Sequence, residues 1–284
     1  MHAAAVSPRG GGVAPETTRL RGQSIIEYVL IAAVIGLVVV FAGPQVAGAI
    51  RNQFNQLTEM LDDGTSEKAF DDSDIADPEN GTAFAVYSED DHSLMFYKRR
   101  GVPQVGDMFN DRRVTEVYTG FETECYGAVD GSNSNGAVNT PWYSRHIDCR
   151  RVAVSDYGIA PASSGNWFQN YSQCKSFDVV KLDMSKTEEL GNMFHGCESL
   201  ETLDISAWDL SNAKYLGAMF GACNGLKSIY MPNCNFNSLV GCDWMFESCR
   251  SLVLDCTNWN VPNKASHDYF NLRAPNVVLP KAWQ

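Results

Sequence analysis

From residue 167 onward the sequence returns to one pattern every 26 residues. Trp167-Phe168, Met193-Phe194, Met219-Phe220 and Met245-Phe246 keep that step, and so do Cys197, Cys223 and Cys249. Strand-like pieces, VVKLDMS, ETLDIS, KSIYMP and LVLDC, recur at nearly the same phase. Trp208, Cys234 and Trp259 follow them at a matching position, the last one residue short, and Leu210, Phe236 and Val261 come two residues later. A period in the twenties with one strand per repeat is the pattern of a leucine-rich-repeat solenoid. One unit cannot bury its apolar face alone, so neighbours supply the core and the ends need caps. Residues 166–284 are expected to form the solenoid, with 83–165 as a β-rich N-terminal cap. Val277-Val278-Leu279 reads as a truncated last strand.

Within the cap, AFAVYS and SLMFYK flank EDDH, which predicts a β-hairpin over residues 83–99 with a four-residue loop. Val114–Tyr118 and Arg150–Ser155 read as further strands, and the Gly, Ser and Asn of 126–141 as a loop. Upstream, residues 62–82 are acidic and poor in apolar side chains, the composition of a linker. Residues 1–22 are small, polar and rich in Gly and Pro, the composition of a leader peptide. Between leader and linker, Val29 to Ala42 carries no charge and no hydrogen-bonding side chain. Beyond Pro44, residues Val46, Ile50, Phe54, Leu57 and Leu61 recur at helical spacing. The expected fold class is therefore α+β: a long N-terminal hydrophobic α-helix over 23–61, a β-rich cap, and a short solenoid.

Glu27 stands two residues inside the apolar stretch that begins at Ile25. A carboxylate at the centre of a membrane span costs about 2.5–3.5 kcal/mol, so it calls for a partner. Cleavage after Gly22 creates an amino terminus at Gln23, close to Glu27. In a bundle of such helices the Glu27 of one chain would neutralise the amine of the next and set the register. A second reading stays open. Ala47-Gly48-Ala49 suits a signal-peptide cleavage site after the apolar run, and cleavage there would release the remainder. The first 22 residues carry three Arg against one Glu, while the whole chain carries −12. That imbalance suits a chain held at the cytoplasmic membrane by its N-terminus and exported beyond it. It disfavours nucleic acid as a partner.

Two resemblances follow from these residues. GQSIIEYVLIAAVIGLVVVFAGPQVAGAIRNQFNQL resembles the Flp-type (type IVb, Tad-system) pilins, with Gly22, Glu27 and Tyr28 on the positions of their leader-end Gly and their Glu-Tyr pair. The resemblance implies cleavage between Gly22 and Gln23 by a prepilin peptidase. It also implies assembly with other pilin subunits through Glu27 and Tyr28, powered by Tad-type machinery, and an extracellular place on a pilus. MFHGCESLETLDISAWDLSNAKYLGAMFGAC resembles the BspA-like surface leucine-rich repeats of bacteria, and AFAVYSEDDHSLMFYK, VTEVYTGF and APASSGNWF match the cap. This second resemblance implies adhesion to a host or bacterial surface ligand. KSIYMPNC departs from the pattern by lacking the LD-x-S ending.

The exposed side of a solenoid is its usual binding surface. Asp204, Tyr230 and Asp255 alternate with Leu203, Ile229 and Leu254 on the strands and are the candidates for that face. Met193, Phe194, Trp208, Trp259 and their equivalents read as core. The nine cysteines are an odd number. In-phase Cys197, Cys223 and Cys249 are expected to stack as a buried ladder, bonded or reduced. Cys125 and Cys149 are candidates for a disulfide across the cap loop. The sequence has no G-x-S-x-G, no H-E-x-x-H, no P-loop and no CxxC, and its five His are scattered. No catalytic residue, metal site or cofactor is expected, and the chain reads as a non-enzyme.

Overall fold

A computed structural model describes residues 75–124 and 140–284, all within one compact unit that runs to Gln284. The expected hairpin is present. Thr82–Ser88 (β1) pairs antiparallel with Ser93–Arg99 (β2), from Thr82 opposite Arg99 to Ser88 opposite Ser93. Both strands are apolar almost throughout because the sheet is covered on both faces. Alternate side chains divide between them. Phe84, Val86, Met95 and Tyr97 join a small outer cluster, whereas Ala83, Ala85, Tyr87, Leu94 and Phe96 enter the main core. Met108–Phe109 (β3) and Arg112–Arg113 (β4) fold over the outer cluster around Asn110 and Asp111, both at positive φ. That pair of dihedrals is the I′-type hairpin turn, which suits Asn and Asp. Glu116–Thr119 (β5) closes the edge beside β1.

On the other side of the hairpin the sheet runs into the repeats. Arg151–Val154 (β6) pairs parallel with β2, and Ser176–Asp178 (β7) pairs parallel with β6, giving the order β5-β1-β2-β6-β7. Thr202–Asp204 (β8) pairs parallel with Ser228–Tyr230 (β9), and Leu254–Asp255 (β10) with Val277–Val278 (β11). In β7, β8 and β9 the middle residue, Phe177, Leu203 or Ile229, is buried and its two neighbours are exposed. One core runs without a break from Ala83 to Val277. The cap therefore serves as the first rungs of the stack.

The structure corrects the fold class. Among the described residues there is no α-helix; the helical pieces are two three-residue 3-10 turns, Tyr143–Arg145 and Lys281–Trp283. No helix there is long and apolar enough to cross a membrane. The described residues form an all-β stack, not an α+β fold. The leader of 1–22, the helix expected over 23–61 and the linker as far as residue 74 lie outside the described residues, as do residues 125–139 of the expected loop.

The repeats add no helix of their own, and the MF-x-x-C limb, where a leucine-rich repeat carries either a helix or a 3-10 piece, shows why. The N–H groups of Leu190, Asn192, Phe194 and Gly196 donate to the carbonyls of Tyr215, Gly217, Met219 and Gly221 on the next rung, at 2.8–2.9 Å. Between them Met193, His195 and Cys197 donate back three residues, to Leu190, Asn192 and Phe194. A helix would need all these donors for itself. Two residues of each limb are also left-handed, with φ between +50° and +74°. They are Asn166, Asn192, Ala218, Trp244 and Tyr269 at the first position, and Asn170, Gly196, Ala222, Ser248 and Arg273 at the second. A left-handed residue breaks a right-handed helix and costs about 1–2 kcal/mol when it carries an ordinary Cβ. Gly196 has a second reason to lack one: a Cβ there would lie 2.6 Å from Asn170 Oδ1.

Inside the limb two columns run the length of the stack. Phe194, Phe220 and Phe246 stack at 5.5–5.6 Å between ring centroids, Phe168 leans on Phe194 at 5.6 Å and 36°, and Phe270 meets Phe246 edge-on. Beside them stand the in-phase cysteines, fully buried. Cys197 Sγ donates to the Phe168 carbonyl at 3.2 Å, Cys223 to Phe194 at 3.0 Å and Cys249 to Phe220 at 3.0 Å. In the first rung the Tyr171 hydroxyl makes the same bond to the Trp142 carbonyl, at 2.9 Å. Each X–H therefore finds an acceptor inside the core, on a carbonyl that also takes the N–H of the residue three on and so uses both its lone pairs. The cysteine ladder is reduced. All eight cysteines among the described residues are free thiols, Cys149 included, and Cys125 lies outside those residues.

Burial pushes the thiols up: Cys249 to about 12 and half-buried Cys234 to about 11, from an ordinary 9.0, with Cys197 and Cys223 raised in the same direction. A raised folded-state pKa contributes stability that is whole below pH 9 and is lost as pH rises through the folded value. The urea midpoint is expected to hold steady up to about pH 8.5 and to fall by about pH 10.5. Half-buried Tyr118 and buried Tyr171 act with the same sign. Cys249→Val is therefore the control: its alkaline loss should be smaller than the wild type's, and an equal loss would refute the thiol contribution.

Candidate functional site

The outward row of the rungs starts from Asp178, Asp204, Tyr230 and Asp255, all exposed. Asp204 and Tyr230 are register partners across β8 and β9. Asp255 is paired with exposed Val278 across β10 and β11. The three residues expected on the binding face therefore do share the solvent side of the strands.

Their local duties differ. Asp204 Oδ1 accepts the Ser206 N–H at 2.9 Å. Asp255 Oδ1 accepts the Thr257 N–H at 2.9 Å and the Thr257 hydroxyl as well. These bonds, the hydroxyl first, hold the Asp255 carboxyl below the ordinary carboxylate range. Each aspartate thus closes an Asx-turn at the end of its strand with Oδ1 while the residue as a whole stays exposed. Tyr230 has no such duty and is 63% exposed. Asp183 and Asp209 make the same turn to Ser185 and Ser211 at the next corner. LDMS is therefore the counterpart of WDLS, 26 residues on, and the first strand is Ser176–Asp178, not the expected VVKLDMS.

A groove opens where the row crosses from β9 to β10. Its volume is about 320 Å³, and it is lined by Ile229, Tyr230, Met231, Pro232, Cys234, Leu254, Asp255, Asn258 and Trp259. It exists because β9 and β10 do not pair. Ile205 donates its N–H to the Tyr230 carbonyl, but its counterpart one rung later, Met231, makes no such bond among the described residues. Pro232 follows it where the rung before has Ser206, so the turn that Ser206 N–H closes onto Asp204 has no equivalent there. Among the described residues no backbone hydrogen bond crosses between Val253→Lys227 and Asn260→Cys234. The groove holds Tyr230 and Asp255 together and leaves Asp204 outside it.

Pro232, Cys234 and Asn258 escape sequence reasoning as site residues, although the break in the LD-x-S pattern at KSIYMPNC is the signal that marks them. Cys234 is the half-buried thiol of the set, donating to the Met231 carbonyl at 2.7 Å. Trp208 and Trp259 are buried, as expected of core residues. Trp208 Nε1 donates to the Val179 carbonyl at 2.9 Å. Among the described residues no group of three or more His, Cys, Asp and Glu side chains is arranged to hold a metal ion. Gly22, Gln23, Glu27 and Tyr28 lie outside the described residues.

Residues 163–278 match the family model described as "Mycoplasma protein of unknown function, DUF285". The match begins at Ser163, the first bridge of the turn-limb ladder, and ends at Val278 in β11, so it spans the rungs. This agrees with the surface-repeat resemblance of that part of the chain. No curated protein and no solved structure matches.

Proposed function

We propose that the chain is a pilin-like bacterial surface protein whose repeat stack binds a host or bacterial surface ligand through the strand face and the groove between β9 and β10. The observation that carries this reading is the groove itself. The strand ladder is interrupted between β9 and β10, and the opening there is lined by both exposed Tyr230 and exposed Asp255. A volume of about 320 Å³ suits one small group or the tip of a longer chain. Display rests on the N-terminal residues: cleavage between Gly22 and Gln23 by a prepilin peptidase, then assembly with like subunits through Glu27 and Tyr28. The alternative is a secreted or singly anchored repeat protein that does not polymerise.

One set of cells tests both parts. Surface material from cells making the intact chain should begin at Gln23; a terminus at Ile50 would show secretion and end the pilin reading. The same cells are then scored for adhesion to reconstituted host matrix and to a layer of the same bacterium. Tyr230→Ala with Asp255→Ala is expected to lower adhesion about tenfold or more, the loss of about 1.4 kcal/mol. Equal adhesion by the double variant at equal surface level would remove the groove from the reading.

A further inference from the structure

Left-handed backbone suits Asn and Gly, and the first two rungs use Asn166 and Asn192 at the first such position of the turn limb. The same position in the last two rungs holds Trp244 (φ +61°) and Tyr269 (φ +57°). The equivalence is exact in hydrogen bonding. Asn166, Asn192, Ala218 and Trp244 each donate to the carbonyl of the residue preceding the next rung's member. A bulky side chain at positive φ is an outlier that persists only where something else favours it. Packing is a poor explanation here, because Trp244 is half-buried and Tyr269 is 57% exposed. The chain end covers the last rung by laying Trp283 on His267 at 4.4 Å and against the edge of Phe270 at 5.4 Å, and leaves Tyr269 uncovered. The two rings stack on each other, 4.3 Å between centroids and 27° between planes.

We propose that Trp244 and Tyr269 form a two-ring aromatic stack on the turn limb, in which Trp244 backs Tyr269 and the outer face of exposed Tyr269 stacks against the ring face of a neutral hexose glycan. It is a second binding site, on a different limb of the rung from the strand groove, and does not rest on that groove. The chemistry selects the occupant. The chain's net charge of −12 repels anionic ligands. A quaternary ammonium group is held by rings set around it as a cage, whereas these two lie nearly parallel. A protein partner of ordinary size needs about 1,200–2,000 Å² of interface, more than two rings supply. A sugar ring matches what remains: an apolar face for the rings and hydroxyl edges for polar neighbours. Asp268, next to Tyr269, exposes its carboxylate. Asp243, next to Trp244, is held in place by the Ser266 hydroxyl at 2.7 and 2.8 Å and by the Asp268 N–H at 2.6 Å.

The intact chain, in a detergent without a sugar headgroup, is titrated calorimetrically with maltohexaose, cellohexaose, mannohexaose and chitohexaose, and with tetramethylammonium chloride. At least one of the oligosaccharides is expected to bind. Trp244→Asn and Tyr269→Asn should each weaken that binding about tenfold or more, while Trp244→Phe retains most of it. The asparagine variants should melt no lower than the wild type, because Asn takes this backbone as Asn166 and Asn192 do. Absence of binding by all four sugars, binding of tetramethylammonium in their place, or unchanged affinity in both asparagine variants would overturn the proposal. So would a lower melting temperature in those variants, which would make the ring pair a packing device.

Discussion

Phe220→Ala is expected to destabilise the repeat stack by about 3–5 kcal/mol, the cost of emptying an aromatic core position that cannot collapse. Phe220 is fully buried and lies flat between Phe194, 5.6 Å and 4° away, and Phe246, 5.5 Å and 3° away. The neighbouring limbs are tied by backbone bonds at every second residue, so they cannot move in to fill the gap. In a stack each rung is stabilised mainly by the two beside it, so a central loss weakens two interfaces at once. Folded domains hold only about 5–15 kcal/mol in all, and a loss of this size takes a large share of it. Urea denaturation of the wild type and the variant gives the difference. A cost below about 1.5 kcal/mol would mean the column closes up after all, contrary to the rigidity argued for the limbs.

Asp156→Ala should cost about as much, about 3–5 kcal/mol, by a different route. Asp156 Oδ2 accepts from Arg99 Nε at 2.9 Å and from the Lys98 N–H at 3.0 Å, and the side chains of Arg99 and Asp156 are each only 8% exposed. The guanidinium also lies over the rings of Tyr97 and Phe109, at 4.8 and 5.3 Å. Removing the carboxylate takes the Nε acceptor from a buried guanidinium and leaves the Lys98 N–H without its acceptor. Asp156→Asn keeps the acceptor and should cost less. Replacing both partners, as Arg99→Met with Asp156→Leu, should recover much of the loss, because two apolar groups need no solvation. Exposed pairs such as Lys227–Glu201, at 59% and 65%, are the contrast, worth about 0–1 kcal/mol. A cost for Asp156→Ala in that lower range would show that the pair behaves as if on the surface.

Much of the architecture can be read from residue order. The hairpin follows from AFAVYS and SLMFYK around EDDH. The rung spacing follows from the Phe and Cys columns, because a residue that stacks on its own copy must recur at the step of the stack. Asp204, Tyr230 and Asp255 could be placed outward because they alternate with buried residues. The turn limb could not be read in the same way. Its left-handed positions are announced by Asn166, Asn170, Asn192 and Gly196, but Ala218, Ala222, Trp244 and Ser248 occupy them as well, and none of these suggests that backbone. LDMS misled for a related reason: the same D-x-S Asx-turn serves both corners of the rung, so its letters do not say which corner is meant.

By itself the sequence determined the period, the residues that form the core, and which strand residues face water. These depend on polarity and spacing, which are properties of the letters in order. Only the tertiary structure decided that the return limb is a run of turns and not a helix, that Cys197, Cys223 and Cys249 are thiols bonded to carbonyls one rung back, and that a groove opens beside Pro232. Each of these depends on where a backbone donor finds its acceptor. Those acceptors lie about 25 to 29 residues away along the chain, beyond the reach of any local pattern.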